Sequence, residues 1–197
     1  MKAEKLFIIF SCVLLFQSCI SYNRKLESEK DVLLAEDLIK KNLSYTDSLS
    51  DANRKGFEKA LSYINKAIAL DSLNIRAYKD KQEIFTNLGQ EVDTLTVFRI
   101  LELEPNFAEE YIVLGHIYER LKKNQLAKEA YSKAKLIYLK EPVSDGRNFN
   151  LITLDFLINK DKSEALEKLK QFPIENPKLV KQIMVVIDDI EKEGSKR

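Results

Sequence analysis

The chain has 197 residues, 45% hydrophobic and 32% charged, with only five glycines and four prolines. That balance belongs to a folded, mostly helical protein and excludes a disordered or collagen-like chain. Lys+Arg 32 against Asp+Glu 31 leaves a formal charge of +1, which removes the electrostatic case for nucleic acid as a partner.

The N-terminus reads MKAEKLFIIFSCVLLFQSC. Lys2 and Lys5 form a basic start, and the apolar stretch Leu6–Phe16 follows. Such a stretch rises about 16 Å as a helix, too short for the ~30 Å core of a bilayer but suited to a secretory signal. Phe16-Gln17-Ser18-Cys19 resembles a bacterial lipobox, in which the cysteine is acylated and becomes the first mature residue. The competing reading is ordinary cleavage, for instance after Ser21. Under the lipobox reading residues 1–18 are a signal peptide, Cys19 carries the lipid and residues 19–27 are a tether. Cys12 then leaves with the leader, so no free thiol remains for a disulfide, a metal or catalysis. The sequence after Cys19, ISYNRK, lacks the acidic run that resembles a surface-export signal, which favours an outer-membrane anchor facing the periplasm.

From residue 28 the chain reads as successive helices. Ser28-x2-Asp31 predicts a helix start ahead of VLLAEDLIKKNL (32–43). The polar stretch 44–56, ending in Gly56, predicts a long loop, and Ala60-x3-Ile64-x2-Ala67 predicts the next helix. Tyr78, Phe85 and Leu88 mark one further helix, and Val97 and Ile100 mark another. Tyr111, Leu114 and Tyr118 share one helical face, as do Ala127, Tyr131 and Ala134. Phe149, Ile152 and Phe156, then Ala165, Leu169 and Phe172, repeat those two sets at a constant offset of 38 residues. Asn176-Pro177 predicts the cap of a last helix, whose stripe is Leu179, Ile183, Val186, Ile187 and Ile190. All four prolines (Pro105, Pro142, Pro173, Pro177) fall between helical stretches. Gly56 and Gly89 are predicted in turns, Gly146 just before a helix and Gly194 just after the last. Gly115 is the one glycine predicted inside a helix, at a local cost of roughly 0.5–1 kcal/mol relative to alanine.

Tyr111-x2-Leu114-Gly115-x2-Tyr118 followed by Ala127-x3-Tyr131-x2-Ala134 resembles a tetratricopeptide repeat, a pair of antiparallel helices. The pattern has a packing logic, since large side chains at a close helix crossing need small ones opposite, and Gly115 and Ala127 supply that room. The preceding segment departs from the motif: Lys81-Gln82 replace Leu-Gly, and Asp93 stands where alanine is expected. The resemblance implies an all-α fold, a right-handed α-solenoid of about four tetratricopeptide-like pairs (28–74, 75–107, 108–145, 146–176) with a C-terminal capping helix (177–193), together filling 28–197. It also implies a concave, groove-like face that receives a peptide or helix of another protein. The side chains assigned to that groove are Ile112, His116, Glu119, Arg120, Asn150, Leu154 and Leu157. The family's basic clamp for C-terminal carboxylates is matched by Lys79 alone, with Glu83, Ile112 and Val113 at other clamp positions, so carboxylate capture is not expected.

NFNLITLDFLIN (148–159) is apolar nearly all round, which calls for cover on more than one side, by the last helix or by a partner. No catalytic or metal constellation assembles around His116, the only histidine. The expectation is a non-enzymatic protein, without cofactor or metal, that binds another protein and reaches the membrane through its N-terminal lipid. The alternative is a structural or assembly subunit of an outer-membrane complex, of the outer-membrane-protein or pilus biogenesis type.

Overall fold

The structure is a computed structural model that describes the backbone of residues 2–43, 49–172 and 177–193, and the side chains of 18–43, 49–172 and 179–188. Pro173, Asn176, Gly194, most of the predicted 44–56 loop and the side chains of Pro177 and Ile190 therefore lie outside the described residues. Among the described residues every regular element is a helix, with no strand: α1 (Lys2–Asn42), α2 (Asp51–Leu70), α3 (Ile75–Asn87), α4 (Thr94–Leu103), α5 (Ala108–Arg120), α6 (Asn124–Tyr138), α7 (Asp145–Asn159), α8 (Lys162–Lys170) and α9 (Pro177–Glu193). Each helix packs on its neighbour in sequence within two compact units, Met1–Leu103 and Glu104–Arg197. Among the described residues no helix is long and apolar enough to cross a membrane.

In the first unit, Val32, Ala35 and Ile39 of α1 meet Phe57, Ala60, Ile64 and Ala67 of α2, with Ala77, Ile84 and Leu88 from α3 and the turn behind it. The Ala60, Ile64 and Ala67 face that the spacing predicts is fully buried. Two expectations fail here. Ser28 and Asp31 do not begin a helix, because α1 runs unbroken through them. Both are buried instead: the Ser28 hydroxyl donates to the Ala67 carbonyl at 2.9 Å and accepts from Asn74 at 3.0 Å, while Asp31 pairs with Lys66 at 3.0 Å. Polar side chains in that spacing can cap a helix or tie it to a neighbour, and here they tie. Residues 19–27 are helical, as part of α1.

Gly56 is the second correction. It lies inside α2, which starts six residues earlier than the loop reading allowed, capped by the Ser50 hydroxyl accepting from the Asn53 amide. A Cβ at Gly56 would run into the Asn42 side chain, so this glycine allows close approach of α1 and α2. Gly146 likewise sits in the first turn of α7, not ahead of it. Gly89 does occupy a turn, at φ +66.

Two residues that depart from the motif, Lys81 of α3 and Asp93 ahead of α4, pair with each other. Lys81 and Asp93, which replace a leucine and an alanine, form an ion pair at 3.2 Å. Asp93 also accepts from the Thr96 amide and hydroxyl at 2.8 and 2.7 Å, starting α4. Burial pushes the Asp93 carboxyl up, but the Thr96 bonds and Lys81 overcome it and hold it below the usual range.

Asp80, on α3, behaves oppositely. Its Oδ2 is buried with no hydrogen-bond partner, and burial beside Glu36 and Glu83 pushes its carboxyl up to about 7, against Arg76 and Lys40. The folded chain therefore holds a proton that the unfolded chain has lost above pH 4. Stability falls as pH rises from about 4 to about 7 and stays low above it. Asp80→Asn should raise stability at pH 8 by about 1–2 kcal/mol after allowing for solvent screening of this part-exposed group, and leave it unchanged at pH 3.5. Thermal melts at the two pH values check the difference. An equal gain at both would locate the effect outside the titration.

In the second unit α7 is covered on two sides. Phe149 and Phe156 join Ala165, Leu169, Leu179 and Ile183 in one core, with Ile152 and Phe172 packed against it. Leu154 points into another, with Ala108, Ala127, Tyr131, Ala134 and Tyr138. All six positions at the 38-residue offset thus meet in one place. The last helix, α9, lies on α7 and α8 and buries Leu179 and Ile183 there. Arg147 joins α6 to α7 by donating to the Tyr138 and Leu139 carbonyls at 2.8 and 3.3 Å, which satisfies the end of α6.

Candidate functional site: the α5–α7 face

Gly115 sits under the ring of Tyr131. A Cβ added there would lie under 3.0 Å from Cε1, Cδ1 and Cζ of that ring, closer than real Cβ atoms approach. Tyr131 is fully buried, as is Ala134, and Ala127 lies in the same core. Leu114 is also buried, while Tyr111 and Tyr118 are half-buried against the core. The glycine lets α5 lie close to α6 and gives the tyrosine hydroxyl a path to the far side of α5.

That hydroxyl anchors a polar network on the candidate face. Tyr131 Oη donates to Glu119 Oε2 at 2.9 Å and lies 2.9 Å from His116 Nδ1. A phenol has one proton to give, so with it on Glu119 the neutral His116 must carry its own proton on Nδ1 and donate to Tyr131. Glu119 Oε1 accepts from Lys160 Nζ at 2.6 Å. Lys160 ends α7 in the left-handed region, at φ 57, and its ammonium also stands 5.7 Å above the Phe156 ring. Burial holds His116 below the ordinary histidine range, against the pull of Glu119. Burial pushes Glu119 up, but the bonds from Lys160 and Tyr131 prevail and keep it below the usual carboxylate range. The network thus holds Glu119 ionised and His116 neutral at neutral pH.

Of the assigned groove residues, His116 and Arg120 are exposed, and Glu119 is half-buried within the network. Ile112 and Leu157 are half-buried and pack against the core, and Asn150 is half-buried on α7. Leu154 does not belong with them: it has no exposed surface and fills the core between α6 and α7. An all-round apolar helix has no outward side to assign from sequence, and Leu154 took the inward one.

The face therefore has an apolar floor of Ile112, Leu157 and Ile158 and a polar rim of His116, Glu119, Arg120 and Lys160. The sequence reading missed Lys160 and Glu110. Glu119 three residues after His116 was visible as a same-face pair, but Lys160 enters from 41 residues away and leaves no local signal. Glu110, between exposed Glu109 and Tyr111, is buried to 1%. The rim can present a carboxylate, an imidazole acceptor and two cations to a polar partner over a hydrophobic floor. Comparison with protein-family models and with curated proteins yields no match for this chain.

Proposed function

We propose that this chain is a lipid-anchored protein-interaction scaffold of the bacterial cell envelope. Cys19 carries the lipid, the helices from α1 onward form tetratricopeptide-like pairs of a right-handed solenoid, and a peptide or helix of another protein lies across α5 and α7. The chain acts without cofactor or metal and does no chemistry on its partner. One observation carries the reading: the six-position packing set of α5 and α6 recurs in α7 and α8, large for large and small for small at five positions, with Phe172 in the place of Ala134. Successive units of this kind are how repeat proteins extend one binding surface. The exposed Cys19 after an apolar leader supports the anchor, placed at the outer membrane and facing the periplasm.

The test is photo-crosslinking in native membranes from a reactive residue replacing Asn150 in the full chain. Ile112 contributes to the core, so the exposed Arg120 is the cleaner probe. Arg120→Glu should cut the crosslinked product at least five-fold while helicity and melting hold. The same yield from Arg120→Glu would remove α5 from the binding surface. Cys19→Ser should leave uncleaved or soluble protein, and acyl labelling that persists in it would end the anchor reading.

A further inference from the structure

Cys19 lies on a helix that the rest of the first unit grips close to the attachment point. Arg24 Nη2 donates to the Ala69 carbonyl at 3.1 Å, and Ser28 donates to the Ala67 carbonyl at 2.9 Å. Asn74 reaches back to Ser28 and Glu29 at 3.0 and 2.9 Å, and Arg76 reaches Glu29 at 2.9 Å. The end of α2 and the turn to α3 are therefore fastened to α1 just beyond Cys19. Arg24 stands five residues from Cys19, about 7.5 Å along a helix axis.

Between these elements is an open cleft of about 500 Å³, lined by Ile20, Ser21, Arg24 and Lys25 of α1 and by residues 69–73. Its rim is more apolar than a water-facing helix end requires. Ile20 is 47% exposed and Leu73 59%. Two cations, Arg24 and Lys25, stand in it against one carboxylate, Asp71. Apolar side chains and long basic chains together suit the boundary between headgroups and acyl chains.

We propose that this patch docks on the anionic surface of the bilayer that holds the Cys19 lipid, so that the first unit lies against the membrane in a fixed orientation. The proposal rests on the lipid-anchor reading, which puts the bilayer within reach of the patch. Ile20 and Leu73 enter the interface, and Arg24 and Lys25 meet phosphate groups. The bilayer is the occupant because the patch begins one residue from the attachment point and carries net positive charge.

The test uses the full chain, processed and acylated in cells, with Ser72→Cys as the labelling site. The anchor reading leaves no other free thiol in the mature protein. The labelled protein is reconstituted into vesicles of phosphatidylethanolamine and phosphatidylglycerol containing headgroup-nitroxide lipid. Lys41→Cys, on the exposed far end of α1 and about 33 Å along the helix from Cys19, is the reference. Quenching at position 72 should exceed that at 41 at least three-fold. Leu73→Asp with Lys25→Glu should bring it down to the reference level with helicity unchanged, and exchanging phosphatidylglycerol for phosphatidylcholine should halve it. Equal quenching at 72 and 41 on protein whose mass includes acyl chains overturns the docking patch alone. Protein without acyl mass overturns the anchor reading and the patch with it.

Discussion

Gly115→Leu is expected to lower stability by about 3 kcal/mol, at the top of the range for forcing bulk into a packed core. Even the first added carbon meets three ring atoms of Tyr131. That ring cannot yield easily, since it is fully buried and its hydroxyl is bonded to His116 and Glu119. Gly115→Ala should cost about 1–2 kcal/mol, despite the helix propensity that alanine gains. Gly56→Ala provides the contrast. Its clash is with the amide end of the half-buried Asn42 side chain near the last turn of α1, which can swing aside at the loss of its bond to the Leu38 carbonyl. The change should be within about 0.5 kcal/mol of neutral, because the alanine propensity offsets the lost approach. Urea titrations of the two alanine variants separate the cases. A Gly115→Ala chain as stable as wild type would mean that α5 does not lie this close to α6.

Leu154→Ala should cost about 2–5 kcal/mol, the usual range for emptying a leucine site in a core. Leu154 has no exposed surface and is surrounded by Ala108, Ala127, Tyr131, Ala134 and Tyr138. The small neighbours cannot collapse far into the space, so the upper half of the range is expected. Met184→Ala, on the exposed side of α9, should change stability by less than about 0.5 kcal/mol. The pair also tells a core leucine from a binding-face leucine: a groove residue truncated to alanine would leave melting intact and lose only its partner.

The helices were legible where one apolar face alternates with solvent. The Ala60, Ile64 and Ala67 stripe is buried as its spacing predicts, and of the six positions from Phe149 to Phe172 four are buried, with Ile152 and Phe172 partly buried against them. What the sequence hid is what depends on residues far apart. Ser28 and Asp31 have the form of a helix start, and only the presence of Ala67, Asn74 and Lys66 opposite makes them ties between helices. Gly56 has the form of a turn until Asn42 is placed against it. Lys81 and Asp93 are departures from the motif when read singly, and only their placement shows that they form an ion pair. On the candidate face, His116, Glu119 and Arg120 could be placed together from the helical repeat of α5. Lys160 could not, since its left-handed backbone and its reach to Glu119 have no signature in a local window.

The central claim is that a protein partner lies across α5 and α7. Hydrogen exchange of the full chain, with and without the partner captured by crosslinking from α7, tests it most directly. Residues 109–120 and 148–158 should gain protection on binding, with little change along 124–138 and 162–170. Protection confined to 124–138 and 162–170, with 109–120 and 148–158 unchanged, would put the partner on α6 and α8 and contradict the account.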